Sequence, residues 1–94
     1  MNRVSVINVV GLSNRHIGPD TPFIQNFRSA GKQAYIAPAF PAVTCTAQSN
    51  YLTGKTATEH GIVGNGWYDR ELAEVHFWKQ SNQLVKSPKI WEAL

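Results

Sequence analysis

The chain opens on a run of apolar, mostly β-branched residues, Val4-Ser-Val-Ile-Asn-Val-Val10. A run interrupted only by Ser5 and Asn8 predicts a strand buried on both faces, as in a parallel sheet. Gly11 ends it, and residues 12–20 read as a loop. From Asp20 the period becomes helical, with Thr21 as the cap, Pro22 as the first helical residue and Gly31 as the stop. Phe23, Phe27 and Ala30 share one face of that helix, with Ile24 beside it, which predicts an aromatic stripe in the core. Gln33–Ala37 reads as a short second strand. Strand, helix and strand within about 35 residues predict a right-handed βαβ unit.

Pro38 and Pro41 stiffen the next segment, which turns into a second helix. Thr44 reads as its N-cap, the hydroxyl accepting a free N–H of the first turn. Cys45, Ser49 and Leu52 follow at i, i+4 and i+7, a narrow inward face. Gly54 suits a left-handed C-cap. Residues 55–64 read as a connection and Gly64-Asn65-Gly66 as a flexible corner. Trp67 to Trp78 predicts a hairpin or two-part strand around Asp69-Arg70-Glu71. Its aromatics, Trp67, Tyr68, Phe77 and Trp78, either line a groove or pack on further protein. Residues 79–86 are polar loop. Ser87-Pro88 then starts a helix that reaches Leu94 after barely two turns. A helix so short is marginal unless it packs, so the sequence reads as the front of something longer.

Composition narrows the classes. Ninety-four residues at 43% apolar content suit one small globular domain. No run approaches the roughly 18 apolar residues of a membrane span. Residues 1–7 alternate like a strand, without a cleavage site after them, so no signal peptide is expected and cytoplasmic residence is the default. The net charge is +3, but the basic residues are scattered, and neither a nucleic-acid partner nor a membrane is indicated. The one cysteine, Cys45, excludes an internal disulfide and a cysteine-cluster metal site.

The candidate chemistry centres on Thr44. A hydroxyl at a helix N-terminus sits where free N–H groups and the helix dipole favour an anion. That suits a phosphate, and a threonine alkoxide attacking one; it equally suits an ordinary capping threonine. Asn65 has two readings as well. It is a neutral amide donor for charge developing on a phosphoryl oxygen, or a residue tolerant of a left-handed turn. Asn8 offers an amide oxygen as a weak metal ligand, or is a hydrogen-bonded strand asparagine. Glu59 and His60 are adjacent, so they do not face one ligand together from a regular helix.

Two motifs in combination carry a resemblance. Pro41-x-x-Thr44, eight residues, then Thr53-Gly54 is followed by His60-Gly61-Ile62-Val63-Gly64-Asn65. The combination resembles the nucleophile segment and the next motif of the type I phosphodiesterase/nucleotide pyrophosphatase branch of the alkaline phosphatase superfamily. The resemblance implies an α/β fold with a mostly parallel central sheet flanked by helices, of which residues 1–94 are the N-terminal part of one catalytic domain, truncated after Leu94. It implies a hydrolase of phosphodiester or nucleotide pyrophosphate bonds that works through a Thr44 nucleophile and a phospho-threonine intermediate. Asn65 then binds the phosphoryl group, and His60 looks structural. Two divalent metal ions, usually zinc, are implied, with Thr44 as one ligand and Asn8 as a further candidate. The family's Asp before the glycine is Val10 here, which leaves one metal site short of a ligand. The remaining ligands belong downstream, so the 94 residues alone are expected to be incomplete and inactive, with the rest of the same polypeptide as their partner. Alternatives are a phosphonate hydrolase of the same superfamily, or an inactive relative serving as a binding or structural module. The substrate is in each enzymatic case a small phosphodiester, nucleotide or phosphonate.

Overall fold

Proline at the first helical position and a glycine just past the end punctuate the first helix, α1, Pro22–Ser29. The computed structural model describes residues 3–92. It divides into two compact units, Met1–Tyr35 and Ile36–Leu94.

In the first unit, Thr21 stands at the expected cap position of α1. Its hydroxyl turns back rather than capping: it accepts from the Gly18 N–H at 2.9 Å and donates to the His16 carbonyl at 2.8 Å. Asn14 ties the preceding loop to the rest of the unit. Its Oδ1 accepts from Gln33 at 2.8 Å and Arg28 at 3.2 Å, and its amide donates to the Tyr35 hydroxyl at 3.2 Å. The expected aromatic stripe is corrected. Phe23 and Phe27 are 89% and 85% exposed. The expected strands Val4–Val10 and Gln33–Ala37 are likewise unpaired and exposed, so no βαβ unit is present among the described residues. The three outcomes share one cause. A parallel strand is stable inside a sheet covered by helices, and the sheet that would cover the aromatic face of α1 is not assembled among the described residues.

In the second unit the helix expected after Pro41 is α2, Thr44–Thr53, closed by Gly54 at φ 65°. Its partly buried face is shifted from expectation: Thr46 and Ser49 are buried, whereas Cys45 and Leu52 are half-buried. The segment expected as a connection contains a one-turn helix, α3, Ala57–His60. A Thr56/Glu59 capping box starts it, with the Thr56 N–H donating to Glu59 Oε2 at 3.3 Å. Gly61 ends it at φ 80°.

The hairpin is as expected. Strands β1, Gly66–Asp69, and β2, Glu74–Phe77, pair antiparallel from Gly66↔Phe77 to Asp69↔Glu74. Asp69 makes the turn, accepting from the Glu71 and Leu72 N–H groups at 2.9 and 3.0 Å. These bonds, that of Leu72 first, hold its carboxyl below the ordinary range. Two like charges face each other at Asp69↔Glu74, which disfavours the pair. Buried His76 lies between them, with Nε2 2.6 Å from Glu74 and Nδ1 3.8 Å from Asp69. The C-terminal helix expected from Ser87 is only a 3-10 turn, Ile90–Glu92, and Ala93 and Leu94 lie outside the described residues. The Lys89 N–H and ammonium both bond Glu92, at 3.0 and 2.8 Å.

The fold is therefore mixed: helices with a small antiparallel two-stranded sheet among the described residues. No helix among those residues is long and apolar enough to cross a membrane.

Candidate functional site

The two motifs read from the sequence meet at the N-terminus of α2. Val43, not Thr44, occupies the cap position, with φ −121° and ψ 158°. The Val43 N–H donates to the Pro41 carbonyl at 2.9 Å, which turns the chain one residue earlier than the sequence suggests. Thr44 is therefore the first helical residue, and the expected N-cap assignment is corrected by one position. Valine has no side-chain oxygen to offer the free N–H groups of the first turn. Asn65 supplies it across 20 residues of sequence: its Oδ1 accepts from the Cys45 N–H at 2.9 Å.

That bond brings together two of the three expected site residues. Asn65 is next to the residue that follows Thr44, and its orientation is set because Oδ1 is engaged. The side-chain NH2 is left as the free donor of the amide. The backbone of Asn65 is held as well, its carbonyl accepting from the Trp78 N–H at 2.9 Å. Trp78 adopts φ 53°, an uncommon conformation for a bulky residue, at the end of β2. Thr44 is exposed, and none of the side-chain hydrogen bonds among the described residues engages its hydroxyl. Beside them lies a cavity of about 350 Å³ whose lining includes Thr44, Cys45, Ser49, Ile62, Trp78 and Lys79. Asn8, the third expected site residue, belongs to the first unit and is exposed.

Behind the motif is His60, fully buried. Its Nδ1 accepts from the Ile62 N–H at 3.0 Å, so the neutral ring carries its proton on Nε2, 2.7 Å from the Asn50 side-chain amide on α2. This favours Asn50 presenting Oδ1 to the ring. The opposite amide orientation would send its NH2 to the Thr46 and Lys55 carbonyls, at 3.0 and 3.3 Å, but would set two donors face to face at His60. Desolvation pushes the His60 pKa below its ordinary value, opposed by the charge of neighbouring Glu59.

A two-metal centre needs several converging anionic or imidazole ligands. Among the described residues no three His, Cys, Asp or Glu side chains converge in that way. The described residues do not by themselves fit the metal pair expected from the sequence.

Sequence reasoning missed three features around the site. The Thr56-x-x-Glu59 capping box was the signal for α3. The burial of His60 had no signal in the local pattern. The shift of the helix start to Thr44 follows from the Pro41–Val43 turn, which depends on backbone geometry alone.

A family model of type I phosphodiesterases/nucleotide pyrophosphatases matches residues 4–94, nearly the whole chain. The chain belongs to this family. Alkaline phosphatase PafA of Elizabethkingia meningoseptica is 44% identical over 34 residues, which cover 36% of this chain and 6% of that relative. The aligned stretch is thus a small part of the relative's length. No solved structure matches the chain.

Proposed function

We propose that the chain is the nucleophile-bearing part of a catalytic domain that hydrolyses small phosphodiesters or nucleotide pyrophosphates. The observation that carries this reading is the Asn65–Cys45 bond, which joins the two family motifs at the N-terminus of α2. In this reading the Thr44 oxygen attacks phosphorus, its proton leaving to solvent, while the bond from phosphorus to the departing alcohol or phosphate breaks. The phospho-threonine so formed is then hydrolysed by water, restoring the threonine and releasing the second product. The Asn65 NH2 donates to a non-bridging oxygen as charge grows there. The N-terminus of α2, ten residues long, favours the same negative charge. The metals that the family typically uses require ligands beyond those described here, which the remainder of the polypeptide would supply.

The test is hydrolysis of a chromogenic phosphodiester, with a phosphonate in the same panel, by the intact protein with added zinc. Thr44→Ala is expected to abolish turnover and Thr44→Ser to keep part of it. Equal turnover by wild type and Thr44→Ala would falsify the proposal. Turnover confined to the phosphonate would transfer the assignment to carbon–phosphorus cleavage.

A further inference from the structure

We propose that His60 is a positioning residue for the Asn65 amide, an inference that rests on the hydrolase reading given above. His60 is fully buried and joined on three sides. Its ring meets Asn50 in the middle of α2 at 2.7 Å and the Ile62 N–H at 3.0 Å, and its carbonyl accepts from the Lys86 N–H at 2.9 Å. Five residues further on, Asn65 meets the start of the same helix at Cys45. Residues 60–65 are thus fastened at both ends to α2.

Geometry gives the first fastening its purpose. Asn50 and Cys45 are five residues apart, or about 7.5 Å along the helix axis at 1.5 Å per residue. The five-residue step from His60 to Asn65 could reach about 17 Å if fully extended. The segment therefore has slack, and the two bonds at Asn65, from the Cys45 N–H and the Trp78 N–H, hold its NH2 in one direction only while the start of the segment is itself held. Buried Ile62 and Gly64 fill the span between the anchors, and His60 sets where the span begins. A displacement of about 1 Å in a group that orients a reacting atom can cost up to a hundredfold in rate.

Two readouts on the intact protein test this. The first is amide hydrogen exchange at Cys45, whose N–H is held by Asn65, against Ala47, whose N–H is held by the Val43 carbonyl within α2. His60→Ala is expected to speed exchange at Cys45 by about tenfold or more while Ala47 stays slow. Unchanged exchange at Cys45 overturns the proposal. Should His60→Ala melt α2, the same comparison on His60→Gln decides, by the same two outcomes.

The second readout is a double-mutant cycle on phosphodiester hydrolysis. His60→Ala is expected to lower kcat by about ten- to a hundredfold with KM little changed. In an Asn65→Ala background the same change should cost less than about twofold, because the group that His60 positions is already gone. An equal loss in both backgrounds overturns the proposal and leaves His60 a stabilising residue only. If Thr44→Ala retains full activity, the hydrolase reading falls, whereas the exchange comparison still decides whether His60 holds Asn65.

Discussion

Replacing Asn65 by aspartate or alanine separates its two tasks. The amide oxygen caps the Cys45 N–H, and the amide nitrogen remains to donate to a ligand. Asn65→Ala removes both. Losing a cap of this kind costs about 1 kcal/mol of stability, within a range of roughly 0.5–2. Losing a fixed donor to developing oxyanion charge costs about 10²–10³ in kcat. Asn65→Asp keeps an oxygen for Cys45 and adds a negative charge at the N-terminus of α2, worth about 0.3–1 kcal/mol in favour of the fold. The same change removes the donor and sets an anion beside the phosphoryl group. The two variants should therefore part in stability and agree in activity. Denaturant titration reads the first, with alanine about 1 kcal/mol less stable and aspartate equal to or above wild type. Phosphodiester turnover reads the second, with both variants down by about a hundredfold or more. Aspartate retaining turnover within a few-fold of wild type would refute the donor role. Aspartate as unstable as alanine would refute the cap.

Other expected outcomes follow from single side chains. The Thr46 hydroxyl is buried without a partner among the described residues, the residue being 1% exposed. Thr46→Val should then be neutral or stabilise by up to about 1 kcal/mol, since it removes an orphaned polar atom; a loss of that size in denaturant titration would show a hidden partner. His60 has its pKa lowered in the folded state, first by desolvation. The folded form thus binds its proton less well than the unfolded form. The stability carried by the neutral ring is complete above the unfolded value of about 6.5, and is lost as pH falls through the depressed folded value. Thermal melts between pH 8 and pH 5 should show the advantage of wild type over His60→Gln shrinking with acidification, and a constant difference would contradict this.

What the sequence disclosed was what depends on short-range chemistry. The Trp67–Trp78 hairpin, the Gly54 stop and the Pro22 start of α1 are each decided within a few residues, and each is present. The Val4–Val10 strand and the Phe23/Phe27 face were read from equally clear periodicity, yet they are exposed. Periodicity reports which face should be buried, and not whether the covering element is at hand. The unpaired strand and bare helix face ask for the same thing, a parallel sheet, and they fail together without it. The site behaves likewise. Thr44 and Asn65 were found by their motifs, and His60 was read from the second motif as structural, whereas its bond to Asn50 on α2 was hidden because a buried histidine and a loop histidine look alike in a sequence.

The one-residue shift at the start of α2 bears directly on chemistry. A threonine at the cap position turns its hydroxyl onto the N–H of the second or third helical residue. A hydroxyl so engaged has a lone pair committed to the backbone and faces into the helix end. With Val43 at the cap, the N–H of the second helical residue would be left over, and Asn65 takes it from outside the helix. The exposed Thr44 hydroxyl is thereby released from structural duty at the point where the helix most favours negative charge. The two readings of Thr44, cap or nucleophile, are thus alternatives in the structure as well as on paper. Asn65 takes the capping role with its oxygen, which leaves the Thr44 hydroxyl free for the nucleophile role proposed above.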